Sequence, residues 1–238
     1  MTNVNTLIKG GNILGIELNK EEIHSFILYK ELLKEWNQKI NITSIIDDEE
    51  IDIKHFVDSI TPLTTDLIGK NIKMIDIGTG GGFPGVPLKI LNRDMEVVLL
   101  DSLKKRITFL ENIIDKLALE KIIPIHGRAE ELGRDKNHRE KYDIAVSRAV
   151  ASLNTLCEYC LPFVKVGGHF ISMKGPDMGE ELKDAEKSIK ILGGRFKEIK
   201  VIDLPLSDIT HSLIIIEKIK ETPTKYPRGG GKPKKKPL

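Results

Sequence analysis

Ile75-Asp76-Ile77-Gly78-Thr79-Gly80-Gly81-Gly82-Phe83-Pro84-Gly85 is the stretch on which the fold turns. An apolar run reads as a strand and ends at Ile77. Glycines follow, and Pro84 suits the first turn of a helix. Glycine allows positive φ and close approach of a ligand to the backbone. A strand, a glycine loop and a helix in succession predict a crevice at the carboxyl end of the strand, where open α/β sheets bind their ligands.

Outward from this loop the same alternation continues. Strands are expected at Ile72–Ile77, Glu96–Leu100, Ile122–His126, Asp143–Ser147 and His169–Met173, then near Phe196–Val201 and Ser212–Glu217. Helices are expected at Pro84–Leu91, Lys104–Leu117, Ser152–Leu161 and Gly179–Ile191, with a short turn after Arg128. Short apolar strands separated by helices imply a parallel sheet covered on both faces, so the fold class is α/β. The short link between the last two strands suits an antiparallel pair at one edge. Before the loop the chain reads as helical. Asn19 can cap a helix with Glu22 completing a capping box, and Asp47 or Asp48 can start a second helix that ends near Pro62. The divisions are a helical N-terminal extension over 1–70, the sheet domain over 71–221 and a basic tail over 222–238.

The chain has 238 residues, 40% hydrophobic and 30% charged, enough for one large domain and its appendages. Its net charge of +2 is unevenly placed: the last segment, from Thr222, carries six basic residues and no acidic one, leaving −4 on the rest. Such asymmetry points to a polyanionic partner. Two cysteines cannot build a disulfide framework, and neither a secretory leader nor a membrane span is legible. A cytoplasmic monomer that does not engage a membrane is therefore expected.

Gly80-x-Gly82-x-x-Gly85 matches a dinucleotide fingerprint. A pyrophosphate, however, needs backbone N–H groups at the helix start, and Pro84 removes one. Asp76 would repel a diphosphate. It would suit a ligand with an amino group and a sulfonium, and S-adenosylmethionine is such a ligand. Gly80 then belongs to the cofactor loop. Asp101, ending the second strand, can accept the ribose hydroxyls of either cofactor; it also reads as a helix N-cap.

Beyond the loop, several segments share one pattern: Trp36-Asn37 with Asn41-Ile42-Thr43, His55-Phe56-Val57-Asp58-Ser59, Gly127-Arg128-Ala129-Glu130, Ser147-Arg148-Ala149, and Lys225-Tyr226-Pro227-Arg228 with Gly231 and the final Lys-Pro-Leu. With these segments the chain closely resembles the bacterial small-subunit ribosomal RNA guanine-N(7) methyltransferase family, also called glucose-inhibited division protein B. The resemblance runs nearly end to end. It implies a Rossmann-like S-adenosylmethionine-dependent methyltransferase fold with a helical N-terminal part. It implies cofactor contacts at Gly78, Phe83, Ala129, Glu130 and Arg148, and N(7) of one guanine in small-subunit ribosomal RNA, free or in the assembled subunit, as the methyl acceptor.

These implied roles make physical sense. Backbone groups of Gly127–Glu130 can flank an adenine edge. Arg148 can hold a carboxylate or a phosphate. Guanine N(7) carries a lone pair and no proton, so alignment and desolvation matter more than a general base. Asp76 could also favour the cationic product base. That edge of A-form RNA is hard to reach, so the base should be looped or opened out, and held by aromatic or guanidinium planes. Tyr226 and Arg228 are candidates for this, and Lys174 for a phosphate. The interleaved Tyr, Pro and Gly favour a tail folded back to contact RNA.

Cys157 and Cys160 fall inside a helix without metal-ligand company and read as core. No metal site is expected. His55 and Asp58, one helical turn apart, read as a brace of the domain or the wall of an RNA groove. Two other functions remain: a nicotinamide-dependent reductase, which leaves the tail and Asp76 unexplained, and a non-catalytic RNA-binding protein, which leaves the crevice unexplained.

Overall fold

The computed structural model describes residues 5–148 and 151–238. Ala149, in the Ser147–Ala149 segment, and residues 1–4 lie outside the described residues. Strands β1 (Lys73–Ile77), β2 (Glu96–Asp101), β3 (Ile122–His126), β4 (Tyr142–Arg148), β5 (Val164–Lys174), β6 (Gly194–Asp203) and β7 (Thr210–Lys218) form one sheet. The order is β3-β2-β1-β4-β5-β7-β6. β1 pairs in parallel with β2 on one side and with β4 on the other, placing Ile75 between Val98 and Ala145. The order reverses there, and the glycine loop leaves β1 at this switch point. β7 runs antiparallel to both β5 and β6. The predicted antiparallel pair is present, with β7 inserted beside β5 and β6 outermost.

The helices are α1 (Asn5–Ile13), α2 (Lys20–Ile40), α3 (Asp48–Ile51), α4 (Asp58–Ile60), α5 (Gly85–Leu91), α6 (Lys104–Lys116), α7 (Ala129–Leu132), α8 (Leu153–Cys160), α9 (Gly179–Ile191) and α10 (Lys232–Lys235). A π-helical stretch, Asp52–Val57, joins α3 to α4. The Asn19 side chain accepts the Glu21 and Glu22 N–H groups, and the Glu22 carboxylate accepts the Asn19 N–H at 2.8 Å, so the capping box forms as read.

Side chains alternate across the sheet and divide the core in two. On one face Met74 and Leu99 pack with Val86, Leu110 and the N-terminal Leu7, Phe26, Tyr29 and Phe56. On the other, Ile75 and Leu100 pack with Leu156, Cys157, Ile189 and Tyr226. The N-terminal helices thus cover one face together with α5 and α6, and the tail closes the other. The two cysteines are free and buried, and burial pushes the Cys157 thiol up to about 12. Among the described residues no helix is long and apolar enough to cross a membrane.

Candidate active site

Gly78, Gly80 and Gly82 all have positive φ, at 73°, 61° and 95°. This path turns the loop back over the end of β1. Asp76 lies fully buried beneath it. Its Oδ2 accepts the Thr79 hydroxyl at 2.7 Å and the Gly85 N–H at 2.9 Å, tying the start of the loop to its end. Among the described residues its Oδ1 has no hydrogen-bond partner, and burial raises the carboxyl to about 7. The expectation that Asp76 faces the ligand is corrected: it braces the loop from below. From the N-terminal extension the Tyr29 hydroxyl donates to the Gly81 carbonyl, and Ile42 lies against Gly81.

Three adjoining cavities open at the carboxyl ends of the strands. The first, of about 140 Å³, is lined by Gly78, Asp101, Gly127, Ala129, Glu130 and Tyr159. Asp101 accepts three bonds here, from the Gly80 N–H (2.9 Å), the Leu103 N–H (2.9 Å) and Arg106 Nη1 (3.2 Å). A carboxylate offers about four acceptor sites, so roughly one remains for a ribose hydroxyl unless the half-exposed Arg106 moves aside. Asp101 therefore combines both readings, turn cap and cavity wall. The Glu130 carboxylate accepts the Gly231 N–H at 3.2 Å, leaving backbone groups of the segment to flank a base.

The second cavity, of about 510 Å³, runs on past Gly78 and Asp101 and is lined by Ile42, Thr43, His55, Phe83, Arg106 and Arg148. Phe83 is buried and stacks on His55, ring centroids 4.5 Å apart and 13° from parallel, with the Arg148 guanidinium 5.0 Å from its ring. Burial and then Arg148 lower His55 to about 4, so its imidazole is neutral. Thr43 Oγ1 meets His55 Nε2 at 2.8 Å.

The third cavity, of about 450 Å³, lies beyond His55 and Arg148, which form walls of both. Its remaining lining is Lys54, Asp58, Met173, Lys174, Gly175 and His211. Arg148 is pinned by Asp58 Oδ2 at 2.7 Å and the Lys54 carbonyl at 3.0 Å. The other Asp58 oxygen meets His211 Nδ1 at 2.6 Å. Burial would raise Asp58, but the His211 hydrogen bond and Arg148 outweigh it and hold the carboxyl below its usual range.

The sequence-predicted residues are thus brought together unevenly. Gly78, Gly80, Phe83, Asp101, Ala129, Glu130 and Arg148 line the first two cavities. Lys174 lines the third, where its ammonium is held by the Ala151 carbonyl and by Glu181 at 2.7 Å. Tyr226 is buried at 7% exposure in the second core. Arg228 makes a two-pronged pair with buried Glu158, at 2.9 and 2.6 Å. Neither presents a plane to an opened-out base: the tail folds back, as read, but these two side chains anchor it. Thr43 and His211 were not singled out as ligand contacts, and Asp58, with His55, was read as a brace of the domain or the wall of an RNA groove. Asp58 and His211 are 153 residues apart in sequence, and only the closing of β7 against β5 brings them together.

Residues 22–209 match a family model described as GidB, rRNA small subunit methyltransferase G. The chain is 55% identical to the ribosomal RNA small subunit methyltransferase G of Alkaliphilus oremlandii (strain OhILAs), over 98% of this chain and 97% of that one. It is 54% identical to the protein of the same name from Acetivibrio thermocellus, over 98% and 95%. Among solved structures, Aeropyrum pernix fibrillarin in complex with natively bound S-adenosyl-L-methionine shares the fold at TM-score 0.50 and 15% identity, over 62% of this chain and 66% of that one.

Proposed function

The chain belongs to the rRNA small subunit methyltransferase G family, and from that premise we propose that it methylates N(7) of one guanine in small-subunit ribosomal RNA, with S-adenosylmethionine as methyl donor. The observation that carries this reading is the row of three cavities sharing walls at the switch point of the sheet.

The residues present fit the donor. The positive-φ glycines let a ligand lie against the backbone, Asp101 has an acceptor site left for a ribose hydroxyl, and the backbone at Gly127–Glu130 can flank adenine. Arg148, at the junction of the second and third cavities, is placed to face a carboxylate or an RNA phosphate. The bound donor supplies a methyl on a sulfonium: as the N(7) lone pair forms its bond to that carbon, the sulfur–carbon bond breaks and its electron pair stays on sulfur. The protein's part is to hold the two reactants in line and dry.

The base enters the third cavity, over Met173 and Gly175. The exposed lysines of α10 offer charge to the RNA backbone, and Lys54 does so from the wall of the third cavity. In this reading the enzyme acts in the cytoplasm as a monomer, on small-subunit RNA free or assembled. Incubation of the purified protein with methyl-labelled S-adenosylmethionine and either naked small-subunit RNA or assembled subunits, followed by nucleoside mass spectrometry, tests it. Labelled 7-methylguanosine at one position is expected. Label on another atom, or none on either substrate, overturns it.

A further inference from the structure

The third cavity holds a carboxylate–imidazole pair with no assigned work. Asp58 is almost fully buried, and both its oxygens are engaged, one by Arg148 and one by His211. An ionised carboxylate only accepts, so His211 Nδ1 carries the proton that lies between them. The pair fixes the tautomer and the tilt of the ring. The His211 ring, 29% exposed, lines the cavity, and among the described residues no hydrogen bond engages its Nε2. The other polar side chains of that wall are committed: Arg148 to Asp58 and the Lys54 carbonyl, Lys174 to Glu181 and the Ala151 carbonyl, His55 to Thr43, and the Lys54 ammonium to Glu50.

We propose that His211 is a catalytic residue: its neutral Nε2 accepts a hydrogen bond from N1–H of the target guanine while Asp58 holds the ring. The assignment rests on the guanine reading above and gives it a mechanism of selection and rate. Guanine offers a donor at N1. Adenine offers a lone pair there, which would oppose that of Nε2. As N(7) takes the methyl group the purine becomes cationic, so N1–H becomes more acidic and its bond to Nε2 tightens. An interaction stronger in the transition state than in the ground state accelerates the step. The N1 proton stays on the base throughout. An imidazolium would do the reverse, adding a cation to a cavity already walled by Arg148, Lys54 and Lys174, against a base that is itself becoming positive.

The titratable groups that share the cavity wall with His211 are Asp58 on α4, Lys54 and His55 on the π-helical stretch, Arg148 on β4 and Lys174 on β5; β6 sets the apolar Ile202 opposite it. The Asp58 hydrogen bond dominates and raises His211 above its ordinary 6.5.

The test is single-turnover methyl transfer with preformed enzyme, RNA and donor, from about pH 6 to 9, where a required neutral imidazole gives a rising limb. The wild-type rate should rise through the pKa of His211 and then level. His211→Ala should be flat with pH, about tenfold below the wild-type plateau, with unchanged affinity for S-adenosylmethionine by calorimetry. RNA carrying 2,6-diaminopurine at the mapped position keeps N(7) but has no N1–H. It should lose about tenfold with wild type and little with His211→Ala, and its wild-type arm stands even if the variant does not fold. A flat wild-type profile, a limb that persists in His211→Ala, or undiminished transfer to diaminopurine overturns the assignment. So does a rate that falls with pH, which would mark an imidazolium donating to the guanine carbonyl. Failure to form any 7-methylguanosine with wild type at any pH would instead remove the guanine reading itself.

Discussion

Asp76 and Asp101 lie near the carboxyl ends of neighbouring strands, yet burial gives them different work. Asp76, fully buried beneath the loop, is raised to about 7 by that burial. An acid raised in the folded state contributes most below its unfolded pKa, near 3.8, and loses that contribution as pH climbs through about 7. Asp76→Asn does not titrate. In urea unfolding the wild type should therefore lose stability relative to this variant between about pH 4 and 7, and a constant difference would place the perturbed carboxyl elsewhere. Asp101 belongs to the crevice. Asp101→Asn should weaken S-adenosylmethionine binding by about 1.5–3 kcal/mol, the range for hydrogen bonds to a charged group. Calorimetry measures it, and an unchanged affinity takes Asp101 out of the site.

At the scale of elements, the glycine loop is held from outside the sheet by α2. A side chain at Gly82 would have to adopt φ 95° and would place its Cβ 2.6 Å from the Tyr29 hydroxyl and 2.8 Å from Val86. Gly82→Ala should cost roughly 1–3 kcal/mol, and Tyr29→Phe about 1 kcal/mol for the lost bond to the Gly81 carbonyl. The double variant should lose less than the sum, because the hydroxyl removed is an atom the new methyl meets; denaturant titration of all three measures the coupling. Most elements were legible because their signals are local. Short apolar runs between helices marked the strands, β3 and α9 coincide with their expected bounds, and Asn19 with Glu22 marked the start of α2. The grip of Tyr29 was not legible. Within its helix it reads as one more apolar position, and its partner lies 52 residues away. The π-helical turn that swings His55 and Asp58 toward the cavities also leaves no period of its own in so short a stretch.

Across the whole molecule, charge was easier to read than contact. The basic tail was legible from composition, but its packing depends on partners far off in sequence. Arg139 donates to the Tyr226 carbonyl at 2.8 Å, and buried Lys218 donates to the Thr222 hydroxyl at 2.8 Å. Deleting the tail would therefore open the second core, and charge is better removed in place. Replacing Lys232, Lys234, Lys235 and Lys236, all exposed, with Gln should leave stability nearly unchanged. It should lower the salt slope of RNA binding by about 3, at roughly 0.7 per phosphate contact on single strands; an unchanged slope means that these lysines do not meet the RNA. The strand order has a consequence of another kind. β7 is last in sequence yet lies between β5 and β6, so during synthesis β6 emerges before the strand that must separate it from β5. The slot has to stay open until residues 210–218 arrive, and His211 arrives with them. A nascent chain stopped short of β7 would already carry the glycine loop, Asp101, Arg148 and the rest of the third cavity's lining, yet lack His211. Translation order itself withholds the proposed reader of the base, His211, until the sheet is closed.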